Sequence, residues 1–456
     1  MTESQKTSRG WLSPDELAAG IAAGRIDTVL LAITDMQGRL QGKRLDANFF
    51  LHDVVPNAAE GCNYLLAVDV DMNTVEGYAM ASWDKGYGDF VLQPDMGTLR
   101  MLPWHDNTAF CVADVMTTEH AEVAPSPRQV LRRQLDRLDQ LGFTAYCGTE
   151  LEFIVFNETY EEAWKGGYRE LTPSNLYNVD YSLLGTSRVE PLLRRIRLNM
   201  SGAGMLVESA KGECNFGQHE IAFKYTEALA KADEHSLFKT GAKEIAAQLG
   251  HSLTFMAKYN EREGNSCHVH FSLRDKSDKP VFADGHRHSR VFDKVIAGML
   301  ASLRETTLFH APNINSYKRY VKGSFAPTAI AWGRDNRSCA FRVVGHGPSL
   351  RVECRVPGGD VNPYLSLAAL VASAIRGLEE DLNLEAEFPG NAYDSDKPRV
   401  PSSMHEAAEL FTSSEFNRSA FGDDVVDHYT NYAHVELDAY ASAVTDWERF
   451  RGFERL

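Results

Sequence analysis

The clearest alternation of apolar and polar residues along the chain lies at positions 350–356. In the run Leu-Arg-Val-Glu-Cys-Arg-Val, the charged residues Arg351, Glu353 and Arg355 alternate with apolar ones. Because successive side chains of a strand point to opposite faces, this pattern predicts a strand with one apolar and one charged face. A charged face alone is typical of a solvated antiparallel sheet. It indicates chemistry only if other strands carry complementary groups.

Helical patterns account for much of the remaining chain. Ser13 followed by Pro14 and Glu16 predicts a capped helix, and Ser126 followed by Pro127 predicts another that ends at Gly142. Further helices are predicted at about 190–200, 226–249, 289–309, 363–382 and 433–456.

Strand-like runs alternate irregularly with these helices. A hairpin is predicted at 27–45, and 252–259 with 268–273 resembles a second pair of strands joined by a loop. The other predicted strands lie near 63–70, 110–114, 144–156, 205–209 and 220–225. Strands and helices mixed in this order predict an α+β fold with a mainly antiparallel sheet. The polar segment 117–127, which holds two prolines, is the predicted domain boundary.

Composition narrows the possible functions. The net charge of −16 on 456 residues disfavours non-specific binding to nucleic acid or to an anionic membrane surface. No run of 18 apolar residues occurs, so no membrane span is expected. The seven cysteines form no CxxC pair and the N-terminus has no apolar signal region, which favours a reducing, cytoplasmic setting.

Several pairs of carboxylates and imidazoles have strand-face spacing. Glu150 and Glu152 share one face of an apolar strand, and His268 and His270 share another. Further acidic residues occur between positions 208 and 220. Oxygen and imidazole ligands without a thiolate cluster favour Mg²⁺ or Mn²⁺ over structural zinc. Together with the spaced arginines, which suit phosphate and carboxylate groups, they indicate phosphoryl transfer without a P-loop.

Six motifs in order resemble the glutamine synthetase superfamily over roughly residues 14–455. They are TELEF at 149–153, GECNFGQHEI at 212–221, CHVHFS at 267–272, NSYKR at 315–319, NRS at 336–338 and RVECR at 351–355. The resemblance implies a small N-terminal β-grasp domain at 12–118. It also implies a catalytic domain at 125–456, whose curved, mainly antiparallel sheet is flanked by helices. It further implies a homo-oligomer, a dodecamer of two hexameric rings, with each active site between neighbouring subunits.

The same resemblance implies roles for individual residues. One divalent cation, Mg²⁺ or Mn²⁺, would be held by Glu152, Glu213 and Glu220, and a second by Glu150, His268 and Glu353. Glutamate would be bound by Arg319, Arg355 and the backbone of Gly264. ATP and its phosphates would be bound by Glu208, His270, Ser272, Arg337 and Arg342, with Arg337 also acting in catalysis. The implied reaction is phosphorylation of the glutamate γ-carboxylate by ATP, followed by attack of an amine on the γ-glutamyl phosphate.

Three positions bear on which amine is used. Phe325, in the segment 322–327, stands where glutamine synthetases carry a flap glutamate that accepts a proton from ammonium. Glu263 stands where the family has an asparagine, and Asp35 matches an aspartate that family members lend to a neighbouring subunit's amine site. An aromatic ring in place of a carboxylate disfavours ammonium and suits a carbon chain. Phe325 and Asp35 are therefore counted with the catalytic residues.

The pattern GSFAPT…WGRDNR at 323–337 resembles that of γ-glutamylamide ligases. The segments DMQGRLQGKR at 35–44, EGCNYLLAVD at 60–69 and REGNSCHVH at 262–270 look closest to γ-glutamylethanolamide synthetase-like proteins. The expected reaction is ligation of glutamate to a small organic amine, with ethanolamine ahead of putrescine. The alternatives are a true glutamine synthetase, a homologue that has lost catalysis, and a guanidino-kinase-like phosphotransferase. Tyr393 lies near a tyrosine that some members adenylylate, although an ordinary loop tyrosine is the preferred interpretation. Tyr177 and Tyr181 are further candidates for the amine site.

Overall fold

The computed structural model describes residues 9–456. The first helix, Pro14–Ala22, begins with the predicted capping box, in which Ser13 Oγ accepts a hydrogen bond from the Glu16 backbone N–H and the Glu16 carboxylate accepts one from the Ser13 N–H. Strands β1 (Thr28–Thr34) and β2 (Leu40–Asp46) then form the predicted antiparallel hairpin.

A five-stranded sheet is built on this hairpin. It adds β3 (Ala59–Cys62), β4 (Asp89–Met101) and β5 (Thr108–Met116), in the order β2-β1-β5-β4-β3. Only the β1–β5 pair of this sheet is parallel. The prediction of a strand at 63–70 was wrong. Asn63–Leu66 is a 3₁₀ turn, and Leu66, Ala67 and Val68 are all buried instead of alternating between two faces.

A nine-stranded sheet forms the larger part of the molecule. Its main path runs β14-β15-β16-β11-β6-β8-β7, and only the β14–β15 pair is parallel. These strands are β6 (Phe143–Phe156), β7 (Val207–Gly212), β8 (Gln218–Phe223), β11 (Cys267–Asp275), β14 (Trp332–Arg334), β15 (Phe341–Val344) and β16 (Arg351–Cys354). β9 (Thr226–Glu227) and β10 (Ser252–Thr254) also pair with β6, and β12 (Ala283–Asp284) pairs with β13 (Arg287–His288). The α+β fold with a mainly antiparallel sheet is confirmed.

One predicted strand pairing was wrong. β10 and β11 do not form a hairpin, because β10 pairs with the end of β6 at 154–156 while β11 pairs with its first part at 143–151. β10 and β11 therefore follow one another along the same edge of β6, because β8 and β9 occupy its other edge. The loop between them passes beside the middle of β6, where the Glu152 N–H donates to the Ser266 carbonyl oxygen at 3.0 Å.

Helices surround the sheets at most of the predicted positions. The longer ones are Pro127–Gln140, Glu190–Gly202, Ala228–Gln248, Arg290–His310, Pro363–Glu379, Met404–Ser413 and Asp423–Ser442. Shorter ones are Tyr160–Lys165, Leu183–Thr186, Glu415–Phe421 and Asp446–Gly452, with helical turns at Ala47–Phe49, Phe50–Val54, Val55–Asn57, Trp83–Lys85, Ile314–Arg319, Gly347–Ser349 and Ala392–Asp394. Among the described residues, no helix is both long enough and apolar enough to cross a membrane.

The C-terminal segment is not the single helix predicted at 433–456. Helix Asp423–Ser442 ends, Ala443 is extended, and Thr445 begins a new helix through a capping box with Glu448. Because a Thr-x-x-Glu sequence favours a helix start over helix continuation, the chain breaks at this point.

The most buried helix packs against its neighbour through glycines. Pro363–Glu379 crosses Arg290–His310, and a Cβ at Gly377 would lie 1.9 Å from the Lys294 carbonyl oxygen. A Cβ at Gly298 would lie 2.1 Å from the Ser373 carbonyl oxygen. The two helices can therefore approach this closely only because neither position carries a side chain.

A buried arginine connects the five-stranded sheet to the helices that pack against it. Arg128, at the start of helix Pro127–Gln140, donates to Asp95 on β4 at 2.8 Å and to Asp114 on β5 at 2.6 Å. The same guanidinium donates to both carboxylate oxygens of Asp233 at 3.0 Å, and Tyr364 Oη donates to Asp233 at 2.6 Å. The side chains of Arg128 and Asp233 are each only 4% exposed.

We expect Arg128→Met to lower the free energy of unfolding by about 3–5 kcal/mol, because Asp233 would remain buried without its counter-ion. Denaturant unfolding at fixed protein concentration measures the loss. Arg418→Met is the control, since Arg418 pairs at the surface with Asp423 and Asp427, and it should change stability little. Equal stability of the two variants would contradict the structural role of Arg128.

Candidate active site

Polar side chains from four strands meet on one face of the nine-stranded sheet. His268 on β11 lies opposite Glu150 on β6, and His270 lies opposite Glu353 on β16. Glu152 on β6 lies opposite Glu220 on β8. Because directly opposed residues project to the same face, the strand register gathers these groups into one site. The charged face predicted for 350–356 is therefore a buried face: Glu353 is only 1% exposed.

The first cluster consists of Glu152, Glu213 and Glu220, with carboxylate oxygens that all lie within 4.8 Å of one another. These are the three residues expected to share one cation. Glu152 also accepts hydrogen bonds from the Ser266 backbone N–H at 2.7 Å and from Gln218 Nε2 at 3.1 Å. The backbone of the loop between β10 and β11 therefore fixes one of the three carboxylates.

The second cluster contains more imidazole than expected. Glu150, His270 and Glu353 offer ligand atoms within 4.8 Å of one another. His268 Nδ1 lies 3.5 Å from Glu150 and 3.6 Å from Glu353, while His270 Nε2 lies 2.8 Å from Glu150. The structure thus brings together Glu150, His268 and Glu353 as expected, and it adds His270, which had been assigned to the nucleotide.

The donor atoms of both clusters fit divalent cations. They are carboxylate oxygens and imidazole nitrogens with no thiolate, the set that suits Mg²⁺ or Mn²⁺. His268 Nε2 is buried without a hydrogen-bond partner, and buried polar atoms are rarely left without one.

Burial controls the protonation of the site. It raises the pKa of Glu152 to about 7 and that of Glu220 to about 8, and it lowers the pKa of His268 to about 4 with a further contribution from Arg355. Burial also acts to raise the pKa of Glu150, but hydrogen bonds from His268 and His270 outweigh it and bring that pKa below its ordinary value. His268 is therefore a neutral imidazole at pH 7, the form that binds metals.

We expect the stabilisation of the protein by Mg²⁺ or Mn²⁺ to be larger at pH 8 than at pH 6. Without metal, Glu152 and Glu220 keep protons up to pH about 7–8, whereas in the unfolded chain they lose them near the ordinary glutamate pKa of 4.5. The metal-free protein therefore loses stability as pH rises through this window, and a bound cation replaces the lost protons. Thermal unfolding with and without metal at both pH values measures the difference.

Glu220→Gln provides the control, because a carboxamide does not titrate and the pH dependence of the metal effect should shrink. An equal metal-induced rise in Tm at pH 6 and pH 8 in the unmodified protein would contradict the expectation.

Two buried arginines flank the clusters. Arg319 donates through Nη1 to Ser266 Oγ at 3.1 Å and through Nη2 to the Val356 carbonyl oxygen. Arg355 donates to the Glu353 carboxylate and, at 3.3 Å, to the Phe325 carbonyl oxygen. The Nε atoms of Arg319 and Arg355 are both buried and have no partner among residues 9–456, so each arginine retains an unused donor for an anionic group.

Gly264 is needed for the position of Arg319. A Cβ at residue 264 would lie 2.7 Å from Arg319 Cγ and 2.2 Å from the Ala257 carbonyl oxygen. The Gly264 carbonyl oxygen accepts a hydrogen bond from Gln218 Nε2 at 2.9 Å. Glu263 is half-buried, and its carbonyl oxygen accepts from Asn215 Nδ2 at 2.6 Å. The backbone of this loop is therefore anchored on both sides of the arginine.

The two arginines expected at the phosphates differ in placement. Arg342 Nη1 donates to Glu353 at 2.9 Å, and its Nε donates to Asp335 at 2.9 Å, so it belongs to the buried network. Arg337 is exposed and makes no hydrogen bond or salt bridge within residues 9–456. The structure therefore brings Arg342 to the site and leaves Arg337 at the surface.

A cleft of about 430 Å³ adjoins the second cluster. The expected nucleotide residues Glu208, His270 and Ser272 line it. The sequence interpretation did not assign four further lining residues, Tyr146, Tyr225, Arg274 and Arg351. Two of them carried a signal, because Tyr146 shares the period-two face of Glu150 and Arg351 shares that of Glu353.

Arg351 also fixes the tautomer of His270. Arg351 Nε donates to His270 Nδ1 at 3.1 Å, and His270 Nε2 lies 2.8 Å from Glu150 Oε1. An arginine has no acceptor, so His270 Nδ1 carries no proton and His270 Nε2 is the atom that donates to Glu150.

Asp35 lies elsewhere. Its carboxylate is 0% exposed and accepts hydrogen bonds from the Gln37 and Arg39 backbone N–H groups, Arg39 Nε and Gln41 Nε2, at 2.7–3.1 Å. Its backbone carbonyl accepts from Asn362 Nδ2 at 3.2 Å. In this structure Asp35 closes its own turn against its own chain, and its carboxylate is not exposed toward a neighbouring subunit.

Phe325 lies on the segment that borders Arg355. Its side chain is 55% exposed, and its φ of +57° is unusual for a bulky residue. The ring is therefore available to a ligand instead of packing in the core. Tyr393 is half-buried, and its buried Oη has no hydrogen-bond partner among residues 9–456. Its interpretation as an ordinary loop tyrosine stays a prediction.

Comparisons with known proteins agree with this geometry. The family model for the glutamine synthetase catalytic domain matches residues 124–451. A γ-glutamylethanolamide synthetase of Streptomyces coelicolor is 62% identical over 445 residues, covering 98% of this chain and 96% of that protein. A glutamate–isopropylamine ligase of Pseudomonas is 36% identical over 435 residues, covering 93% of this chain and 95% of that protein.

The fold agrees as well. A solved structure of a GmaS/ADP complex superposes with a TM-score of 0.84 at 24% identity, covering 96% of this chain and 99% of that one. A family model that matches well over half of the chain, and relatives that align along nearly all of it, lead to one assignment. The chain belongs to the glutamine synthetase family.

Proposed function

We propose that this protein is an ATP-dependent ligase that joins the γ-carboxylate of glutamate to ethanolamine through a γ-glutamyl phosphate. Enzymes of this family use ATP and a divalent metal. The observation that carries the choice of an organic amine is Phe325, whose backbone carbonyl borders Arg355 and whose exposed ring stands where ammonium use calls for a carboxylate. The 62% identity to a γ-glutamylethanolamide synthetase supports ethanolamine over other amines.

The proposed reaction has two steps. A γ-carboxylate oxygen of glutamate attacks the γ-phosphorus of ATP and ADP leaves. The amine nitrogen then attacks the γ-carbon, phosphate leaves, and the nitrogen loses a proton. Cations bound at the two clusters would supply positive charge to the phosphates, which stabilises charge on the transferring group.

The protein's own residues hold the reactants. The unused Nε donors of Arg319 and Arg355 bind glutamate carboxylates. Glu152, Glu213 and Glu220 hold one cation. Glu150, His268 and Glu353 hold the other, and His270 Nε2 donates a hydrogen bond to Glu150.

At the nucleotide, Glu208 and Ser272 border ATP in the 430 Å³ cleft. Arg342 donates a hydrogen bond to Glu353 and acts near the phosphates from that position. Arg337, which is exposed in this structure, would need to move inward to act on them.

The proposal extends to the molecule as a whole. We infer that Mg²⁺ is the working metal ahead of Mn²⁺, and that 12–118 and 125–456 are the two domains.

Exposed apolar side chains in two segments support assembly into a ring-shaped oligomer such as a dodecamer. They are Leu176, Tyr181, Leu183, Leu184, Trp447, Phe450, Phe453 and Leu456. The seven free cysteines are compatible with a reducing, cytoplasmic setting.

Phosphate release tests the function. The purified protein receives glutamate, Mg²⁺-ATP and, one at a time, ethanolamine, putrescine, isopropylamine or ammonium. We expect the highest kcat/KM with ethanolamine, and mass spectrometry should identify γ-glutamylethanolamide. A preference for ammonium would contradict the proposal, and a preference for putrescine or isopropylamine would contradict the ethanolamine assignment.

A further inference from the structure

A lysine reaches into the first carboxylate cluster. Lys211 lies on β7 directly opposite Glu220 on β8. Its ammonium forms an ion pair with the carboxylate of Glu213 and lies 4.0 Å from Glu220 Oε2. The side chains of Lys211, Glu213 and Glu220 are only 23%, 14% and 8% exposed, so the contact is screened little by water.

The same ammonium has a second partner. Lys211 Nζ lies 4.8 Å from the centre of the Tyr181 ring, within the range of a cation–π interaction. Tyr181 is 73% exposed and belongs to the segment between Tyr160–Lys165 and Leu183–Thr186. The lysine therefore sits between a carboxylate cluster and an aromatic ring, and a small rotation of its flexible stem exchanges one contact for the other.

The charges explain why a lysine is useful here. Three carboxylates within 4.8 Å, once deprotonated, repel one another strongly in a buried site unless a cation lies between them. With no metal bound, Lys211 supplies that cation. A divalent ion bound by the same three carboxylates would lie beside Glu213, where the Lys211 ammonium now lies. The ion and the ammonium are both positively charged, so they repel each other and cannot occupy this place together.

We propose that Lys211 is an internal counter-ion that competes with the divalent cation for Glu213 and so sets the metal affinity of the first cluster. The inference rests on the proposed function only in taking this cluster as a metal site. It predicts a weaker cation site than three carboxylates alone would form. It also predicts that metal binding drives the ammonium toward the Tyr181 ring.

The test measures Mn²⁺ binding to the metal-free, full-length protein. The electron paramagnetic resonance signal of free Mn²⁺ gives the concentration of unbound ion. Lys211→Met should increase the affinity of one site per subunit by about tenfold or more, since removing a competing charge leaves the carboxylates to the metal. Lys211→Arg retains the charge and should bind Mn²⁺ nearly as the unmodified protein does. Lys276→Met is the matched control, because Lys276 pairs with Asp139 on an exposed surface.

Thermal unfolding separates this role from a merely structural one. Lys211→Met should lower the Tm of the metal-free protein, and saturating Mn²⁺ should restore it to the unmodified value or above, because the ion then replaces the lost charge. Unchanged or weaker Mn²⁺ binding in Lys211→Met, or a Tm deficit that saturating Mn²⁺ leaves in place, would overturn the inference.

Ligase assays distinguish a failure of the proposed function from a failure of the role of Lys211. If the unmodified protein binds Mn²⁺ at both sites, Lys211→Met tightens one of them, and no amine is used, the role of Lys211 stands and the proposed ligase function fails. If the amine panel gives product while Lys211→Met leaves Mn²⁺ affinity unchanged, the function stands and the role of Lys211 is refuted.

Discussion

Replacing Glu353 by glutamine is expected to lower ligase activity by about a thousandfold. Glu353 is 1% exposed and joins three cationic or ligand groups: Arg342 at 2.9 Å, Arg355, and His268 at 3.6 Å. Burial acts to raise the pKa of Glu353, but its electrostatic interactions with His268 and Arg355 outweigh burial and hold that pKa below the ordinary value. The residue is therefore an anion throughout the working pH range, and glutamine removes that charge.

The loss should have two causes. The second cluster loses its anionic carboxylate ligand, and Arg342 and Arg355 lose the carboxylate that fixes their guanidinium groups. Both effects act on groups that must be in place before phosphoryl transfer. Glu353→Asp keeps the charge but shortens the side chain, so its activity should fall by a smaller factor of about a hundred.

Phosphate release and product formation with glutamate, ATP and ethanolamine measure both variants. Glu387→Gln is a suitable control, because Glu387 is a carboxylate that binds the Arg334 backbone N–H at an exposed site. Far-UV circular dichroism and size-exclusion chromatography establish that Glu353→Gln is folded and assembled. A folded Glu353→Gln protein with more than a tenth of the unmodified activity would contradict the central position of Glu353.

Local chemistry predicted local structure well. The Ser13 capping box, the first hairpin and the long strand β6 follow from cap residues, turn residues and side-chain alternation within a few positions. β4 was missed because Pro94 and Gly97 interrupt its pattern, and the strand tolerates them only through an irregularity between Asp95 and Arg100. Sequence patterns do not show where a sheet can accept such a break.

Strand register accounts for most of what the sequence left undetermined at the site. Alternation places His268 and His270 on the same face, but only the pairing of β11 with β6 and β16 shows that both approach Glu150 and Glu353. Lys211 carried no signal, since a lysine between two glutamates is ordinary on a solvated strand. Its position opposite Glu220 became visible only once β7 was paired with β8.

The second large effect expected is a change of amine preference when Phe325 is replaced by glutamate. The Phe325 ring is 55% exposed, while the backbone carbonyl of the same residue accepts a hydrogen bond from Arg355 at 3.3 Å. The substitution leaves that backbone contact available and exchanges an apolar wall for a carboxylate. A carboxylate attracts ammonium and can accept its proton, whereas the ring contacts the carbon chain of a larger amine.

We expect the ratio of kcat/KM for ammonium to kcat/KM for ethanolamine to rise by about a hundredfold in Phe325→Glu, of which the lost apolar contact contributes about tenfold. Val321→Glu is the matched control: Val321 is 50% exposed and lies four residues before Phe325 in the chain, so the variant adds a carboxylate at a neighbouring exposed position other than that of Phe325. The ratio should change little in that variant. If Phe325→Glu and Val321→Glu shift the ratio equally, added negative charge alone determines the effect and Phe325 does not select the amine. If Phe325→Glu leaves the ratio unchanged, the amine is selected by residues outside the segment 322–327.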